Sequence, residues 1–292
     1  MITVKFTKMQ GIGNDYVYVN CFEEKVGDPE KVSRIVSDRR FGIGSDGLVL
    51  IMPSEKADFR MRIFNADGSE AMMCGNATRC IGKYVYDNGM TRKTEITLET
   101  NSGIKYLTLY PEKGRVKTVN VDMGKAILAP SEIPMNAQGD SFIGGKMTVA
   151  GEEYAVTGVS MGNPHAVVFR EDIDSLDLER IGPMFENHPM FPKRVNTEFV
   201  RVIDGSTLQM RVWERGSGET WACGTGACAS VVASVLCGYC RQGDEITVHL
   251  KGGDLFITYC GDGRVLMRGP ACTVFTGEIE PEKLFAGMER AL

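Results

Sequence analysis

Cys74 and Cys223 each stand directly before a glycine and a small polar residue, as Cys74-Gly75-Asn76 and Cys223-Gly224-Thr225. In both places a strand-and-turn pattern gives way to a helical one. The first N–H groups of a helix have no partner inside the helix and carry the positive end of its dipole, so they stabilise a nearby thiolate or carboxylate. A thiol placed there is drawn below its usual pKa of about 8.5 and can exchange a proton near neutrality. Two such thiols on opposite faces of a carbon form the acid-base equipment of a racemase: one removes the α-hydrogen and the other returns one. Charge developing on the adjoining carboxylate would be met by donors at Gly75, Asn76, Gly224 and Thr225, an electrostatic stabilisation that makes an organic electron sink dispensable. A pyridoxal enzyme needs a Schiff-base lysine and a phosphate cradle, and no stretch of this chain resembles that cradle.

The competing reading is that both cysteines are core thiols. The chain has nine cysteines, an odd number, with neither the small size nor the leader pattern of a disulfide-stapled secreted domain, so reduced thiols are expected. Most reduced cysteines behave as small buried hydrophobes, and Cys80 and Cys228, about a turn into the same helices, fit that description. What favours chemistry at Cys74 and Cys223 is that they occur as a pair in matching contexts.

The pairing belongs to a wider repeat. Cys223 follows Cys74 by 149 positions (223 − 74), and the same offset carries Gly13-Asn14 onto Gly162-Asn163, Asn65 onto Glu214 and Glu70 onto Glu219. Strand-like runs at 15–20, 48–52 and 58–65 lead to Cys74, a helix to about 88 and strands within 95–110. Runs at 165–170, 198–203 and 207–214 lead in the same order to Cys223, a helix to about 239 and strands at 245–250 and 254–260. Earlier helices are expected near 29–39 and 176–187. The stretch Ala227–Leu236 is apolar on nearly every side, which marks an enclosed helix. The expected fold is α/β of the α+β kind: two pseudo-symmetric domains, each a curved, mostly antiparallel sheet around a central helix. Their expected bounds are 1–121 with Cys74 and 122–274 with Cys223, joined near 119–125, with 275–292 as a last segment able to return to the first domain.

At 292 residues the chain has room for two cores. A net charge of −5 with scattered Lys and Arg argues against a nucleic-acid surface and for a small polar ligand. The start, Met1-Ile2-Thr3-Val4-Lys5-Phe6, lacks the basic and apolar regions of a signal peptide, and the nearly charge-free segment Gly226–Cys240 is too short to span a bilayer. A cytoplasmic location and no membrane association are expected; a homodimer is compatible with the sequence without being required by it.

Five blocks then combine into a family pattern. Met9-Gln10-Gly11-Ile12-Gly13-Asn14-Asp15, Phe64-Asn65-Ala66-Asp67-Gly68-Ser69-Glu70, Cys74-Gly75-Asn76-Ala77-Thr78-Arg79-Cys80, Met161-Gly162-Asn163-Pro164-His165 and Trp213-Glu214-Arg215-Gly216-Ser217-Gly218-Glu219-Thr220 with Cys223-Gly224-Thr225-Gly226 resemble the diaminopimelate epimerases over nearly the whole chain. The resemblance implies interconversion of LL- and meso-diaminopimelate, on the route to lysine and peptidoglycan, in a cleft between the domains and without cofactor or metal. It implies that Cys74 and Cys223 transfer the proton, one as thiolate and one as thiol according to direction. It further implies that Asn14, Asn65, Asn163, Asn196, Glu214 and Arg215 hold substrate, with Gly75-Asn76 and Gly224-Thr225 at the reacting carboxylate. Arg suits a distal carboxylate, Glu an ammonium, and Asn either partner. His165 and Glu214 match positions that tune the cysteines, although a histidine in such a turn also serves to satisfy backbone groups, and Glu214-Arg215 also reads as a strand-end ion pair. Where some members carry a ligand-contacting Gln, and others Gly, this chain has Gly47, so any contact there must come from backbone.

Three rivals remain to be separated. Gly42-Ile43-Gly44-Ser45-Asp46-Gly47 fits a dinucleotide-binding fingerprint, but it follows an expected helix and precedes a strand, the reverse of the required order, and reads as a tight turn. Cys237-Gly238-Tyr239-Cys240 has zinc-like spacing without a second ligand pair, and reads as a helix end with Gly238 near the cap. Proline racemases and related isomerases share the duplicated architecture; the matches at Asn65 and Glu214-Arg215 favour a longer substrate with a second amino-acid head.

Overall fold

Residues 3–283 are described by the structure, a computed structural model. Two compact units are present, one falling within Met1–Val121 and Gly269–Leu292 and the other within Asp122–Arg268. The first half of the chain supplies β1 (Val4–Gly11), β2 (Asn14–Asn20), α1 (Pro29–Ser37), β3 (Gly47–Met52), β4 (Phe59–Asn65), β5 (Glu70–Ala71), α2 (Gly75–Asp87), β6 (Glu95–Thr100), β7 (Gly103–Glu112) and β8 (Arg115–Lys125). The second supplies β9 (Gly145–Val149), β10 (Glu152–Ser160), β11 (Pro164–Phe169), α3 (Leu178–Glu186), β12 (Asn196–Asp204), β13 (Thr207–Glu214), β14 (Gly218–Thr220), α4 (Gly224–Leu236), β15 (Glu245–Leu250), β16 (Gly253–Tyr259), β17 (Arg264–Pro270) and β18 (Cys272–Ile279).

Strand pairing repeats between the units. The first runs β18-β1-β2-β3-β4-β6-β7-β8, antiparallel except at β2–β3 and β4–β6. The second runs β9-β10-β11-β12-β13-β15-β16-β17, antiparallel except at β11–β12 and β13–β15. Each parallel step is a strand-helix-strand crossover, which parallel neighbours require. The fold class is therefore the expected one, two pseudo-symmetric α+β units of mostly antiparallel sheet. β18 pairs with β1 from Val4 to Gln10, so the strand that rejoins the first unit begins at Cys272, earlier than position 275. The part of the expected returning segment beyond Lys283 lies outside the described residues.

The offset of 149 extends to the helices, since α1 maps onto α3 and α2 onto α4 residue for residue. It also holds at their ends. Gly89 and Gly238 both take positive φ just past α2 and α4. In each case the glycine N–H and the one after it turn back onto carbonyls of the last turn, Tyr86 and Val85 in one and Val235 and Ser234 in the other, a glycine-dependent helix stop. Cys237 and Cys240 thus flank a cap, and all nine cysteines are free thiols.

Strands buried on both faces read as unbroken apolar runs, and β3, Gly-Leu-Val-Leu-Ile-Met, is the example. Leu48 and Leu50 join Val32 and Val36 of α1 in one cluster, which leaves Val49 and Ile51 on the opposite face. In the second unit Phe199 of β12 joins Ile181 and Phe185 of α3, leaving Glu198 on the opposite face. α4 packs against β10, β11, β12, β13, β15 and β16 and is buried from Gly226 to Ser234. Its small Gly, Ala and Ser residues allow strands to close around it, and Ser230 and Ser234 return their hydroxyls to backbone carbonyls of the same helix.

Candidate active site

Cys74 is the N-cap of α2 and Cys223 the N-cap of α4, both with extended backbone. A β-region cap residue can turn its side chain toward the first N–H groups of the helix; Cys223 does so and accepts from the Gly226 N–H, whereas Cys74 makes no side-chain cap hydrogen bond.

In the first unit the two-residue turn Ile12-Gly13, both at positive φ, brings Asn14 back beside the start of α2. A branched residue at positive φ is strained, and Gly11 is nearly as constrained, because a Cβ there would lie 3.0 Å from Arg79 Nη2 and 3.3 Å from the Asn76 carbonyl. The Cys74 thiol donates to Asn14 Oδ1 at 3.5 Å. Asn14 in turn donates through Nδ2 to Asp46 Oδ2 at 2.7 Å, and the same carboxylate oxygen accepts the Asp15 N–H at 3.0 Å. Asp46 therefore fixes which end of the amide faces the sulfur. Burial pushes the Tyr16 hydroxyl far above its ordinary pKa, and the neighbouring Cys74 and Asp46 push it the same way; it stays a neutral phenol. Buried Asn76 accepts from Arg79 at 2.9 Å, and Asn65 Nδ2 donates to Ser69.

In the second unit the Gly226 N–H donates to Cys223 Sγ at 3.3 Å, and Thr225 Oγ1 lies 3.6 Å from it. Asn163 Nδ2 donates to Thr225 Oγ1 at 3.3 Å, and its Oδ1 faces His165 Nε2 at 3.0 Å. His165 Nδ1 lies 2.7 Å from Glu198 Oε1, both side chains fully buried. The Glu214 carboxylate accepts from the Thr220 hydroxyl, and burial pushes it above the ordinary carboxylate range, with Thr220 and Cys223 pulling it back. Burial, and then the charges of Glu214 and Glu198, push the Cys223 thiol well up, against the hydrogen bonds from Thr225 and Gly226. Asn196 Oδ1 accepts the Arg215 N–H at 2.8 Å, and the Arg215 guanidinium donates to the Lys193 carbonyl. Glu214 and Arg215 thus serve separate partners, and His165 meets side chains instead of backbone.

All the sequence-derived site residues fall at these two helix starts or on the strand ends beside them. Each unit gathers its own set: Asn14, Asn65, Cys74, Gly75 and Asn76 in the first, Asn163, His165, Asn196, Glu214, Arg215, Cys223, Gly224 and Thr225 in the second. Sequence reading missed Asp46, hidden in a glycine-rich turn, and Glu198, which sits two residues past Asn196 and so on the same face of β12. Glu198 had a readable signal, a charge inside an apolar strand. Gly47 has a steric reason: a Cβ would lie 2.0 Å from the Phe64 carbonyl oxygen and 2.9 Å from Tyr16, so no side chain fits there.

Residues 6–129 and 157–274 match the family described as diaminopimelate epimerase. The chain belongs to the diaminopimelate epimerase family. It is 58% identical over 282 residues to the diaminopimelate epimerase of Acetivibrio thermocellus, covering 96% of this chain and 100% of that one. Against the one from Methanococcus maripaludis it is 56% identical over 278 residues, covering 95% and 100%. Among solved structures, a phenazine biosynthesis protein of the PhzF family from Bacillus anthracis superposes with a TM-score of 0.70 at 16% identity, covering 96% of this chain and 100% of that one. A hydroxyproline epimerase from Agrobacterium vitis gives 0.69 at 14%, covering 95% and 91%. At those identities the likeness is one of fold.

Family membership removes the nucleotide-binding rival, and the local geometry agrees. The N–H groups of Gly42, Ile43, Gly44 and Ser45 are spent on carbonyls at the end of α1, so they are not presented to a phosphate. Among the described residues no group of three or more His, Cys, Asp or Glu side chains is arranged to hold a metal ion, and no helix is long and apolar enough to cross a membrane.

Proposed function

We propose that this chain interconverts LL- and meso-diaminopimelate in the cytoplasm, on the route to lysine and peptidoglycan precursors, by moving a proton at one α-carbon between the thiols of Cys74 and Cys223. The observation that carries this reading is the cysteine at the N-cap of each duplicated helix, in a chain whose relatives bear that enzyme's name.

An α-hydrogen next to a carboxylate is a weak acid, and removing it loads charge onto the carboxylate oxygens. In this proposal those oxygens meet the first-turn N–H groups of α2 and α4 at Gly75-Asn76 and Gly224-Thr225, where two helix dipoles stabilise the charged transition state more than the ground state. One thiolate takes the proton, and the other thiol delivers its own from the opposite face. The reverse reaction exchanges the roles, so two similar but unequal thiols serve both directions. Asn14 and Asn163 lie against the reacting groups, with Asn65, Asn196, Glu214 and Arg215 supplying the remaining polar contacts to the substrate, and His165 and Glu214 setting the proton affinity of Cys223. No pyridoxal phosphate or metal enters any step.

The test is a proton NMR assay in D₂O, with purified protein and LL-diaminopimelate, proline or glutamate as separate substrates and no cofactor added. Diaminopimelate is expected to epimerise, its product carrying deuterium at the inverted α-carbon from the earliest times. Turnover of proline or glutamate alone would reject the substrate, and an unlabelled early product would reject proton transfer through exchangeable thiols.

A further inference from the structure

We infer that Glu198 is a positioning residue for Cys223, acting through His165, Asn163 and Thr225; the inference rests on the two-thiol reading above. Glu198 is completely buried, with Oε1 on His165 Nδ1 and Oε2 lacking any hydrogen-bond partner among the described residues. A buried carboxyl with an unfilled oxygen is costly, and the equivalent place in the first unit, 149 positions earlier, holds Val49, which is buried without that cost.

What the carboxyl does follows from counting hydrogens. Asn163 gives its NH₂ to Thr225 Oγ1, so its oxygen faces His165, and Nε2 must carry a hydrogen. Nδ1 then either accepts from a protonated Glu198 or, as part of an imidazolium, donates to an ionised one. In both arrangements Glu198 holds the ring as the Nε2–H form. Without it the hydrogen is free to move to Nδ1, the bare Nε2 would repel Asn163 Oδ1, and the amide would turn over. Thr225 would lose the donor that directs its own hydroxyl hydrogen toward Cys223 Sγ, 3.6 Å away.

Gly226 shows how close the carboxyl comes to the sulfur. A Cβ on Gly226 would lie 2.5 Å from Glu198 Oε1 and 3.1 Å from Cys223 Sγ, so the glycine lets both approach one turn of α4. The titratable groups acting on Cys223 are Glu214 on β13 and Glu198 on β12, with His165 on β11 bridging to Glu198.

Glu198→Val and Glu198→Gln test the inference, each checked by circular dichroism for intact folding. Two readouts are taken: kcat and KM for epimerisation, and the pH dependence of Cys223 alkylation by iodoacetamide, followed by mass spectrometry of its peptide. The valine is expected to lower kcat about 100-fold, the cost of a misplaced catalytic group, with KM changed less than about threefold. The glutamine, whose amide can accept from Nδ1 or donate to it, should hold kcat within about tenfold. Where Glu198 is ionised, the glutamine variant's alkylation limb should move to lower pH, because the negative charge that opposes the thiolate is gone; where Glu198 is protonated, the limb stays in place and the retained kcat alone separates the glutamine from the valine. Equal losses in both variants with the limb unmoved would mean that Glu198 is merely structural and would overturn the inference, as would wild-type kcat in the valine variant. Alkylation reads the thiol directly: if wild type epimerises no amino acid yet the limb still moves in the glutamine variant, Glu198 retains its role and the proposed function falls.

Discussion

The two half-sites share a backbone and differ in what stands behind the sulfur. Asn14 stands beside the Cys74 sulfur, with Asp46 and Tyr16 next to them, and position 49 is a valine; 149 positions on, the same places hold Asn163, Val195, His165 and Glu198. Asn14 accepts from its thiol and is oriented by a partly exposed carboxylate from a loop. Asn163 is instead oriented by a buried imidazole whose far side meets a buried carboxyl. What the helix ends contribute, first-turn N–H groups and a dipole, is backbone chemistry common to both, although only Cys223 takes a side-chain cap bond, from Gly226. What fixes proton affinity is side-chain chemistry, and it has diverged. A repeated scaffold thus surrounds its two cysteines with different side chains, which in the proposed mechanism lets one serve as acid while the other serves as base.

The widest test of that comparison is to remove each thiol in turn. Cys74→Ala and Cys223→Ala are each expected to lower epimerisation by ~10³-fold or more, since a positioned acid or base contributes about 10² to 10⁴ and here neither has a substitute. Circular dichroism and melting temperature should change little in Cys74→Ala, whose side chain is only partly buried. Substantial turnover by either variant would break the pairing. If one variant still exchanges the substrate α-hydrogen with D₂O without inverting the carbon, the comparison sharpens, because that experiment names which thiol faces which epimer.

How far the sequence disclosed these sites depends on what repeated. A constant offset of 149 without gaps aligns both cysteines, Asn14 with Asn163 and Asn65 with Glu214, and the helices at 29–37 and 178–186 obey it residue for residue. Periodicity placed the strands because a sheet covered on both faces leaves unbroken apolar runs such as Gly47–Met52. The same search for sameness concealed Glu198, whose counterpart is Val49, and made His165 look like a lone histidine when its counterpart is Tyr16. Asp46 was concealed for another reason: its contacts to Asn14 and Asp15 are long-range, and a glycine-rich turn carries no periodicity to point at them. The strand that completes the first unit, β18, lay outside the repeat because it belongs to the chain's far end and is mostly exposed.

A second contrast lies one turn into the helices. Cys80 is fully buried in α2, where burial pushes its thiol up to about 11; the position 149 residues on is Ala229. The folded protein holds the Cys80 proton more tightly than the unfolded chain, so this stabilisation is complete below the unfolded thiol's pKa near 9 and is lost as pH rises toward 11. A gap of about two pH units is worth roughly 3 kcal/mol. Cys80→Ala, which copies the second unit, should start somewhat less stable at pH 7 for want of packing. It should then lose less on going from pH 9 to 11, with a fall in melting temperature smaller than wild type's by about 6 °C. Parallel curves for the two proteins would mean that the thiol ionises as easily folded as unfolded.

The smallest contrast concerns the hairpins that carry the strands into the cysteine turns. Arg62 grips Glu70 with two bonds of 2.8 Å, and Arg211, 149 positions later, grips Glu219 at 2.8 and 3.1 Å. The pairs differ in burial: the side chains are 30% and 27% exposed in the first and 14% and 13% in the second. Arg211 also donates to the carbonyls of Ile173 and Leu176, which no substituted aliphatic side chain can satisfy. An exposed pair contributes at most about 1 kcal/mol, whereas buried acceptors stripped of a charged donor cost about 1–3 kcal/mol. Arg62→Met should therefore lower unfolding free energy by about 1 kcal/mol or less, and Arg211→Met by about 2 to 3. Urea denaturation of both variants measures the difference, and equal midpoints would show that the second hairpin draws nothing extra from its partly buried carbonyl contacts.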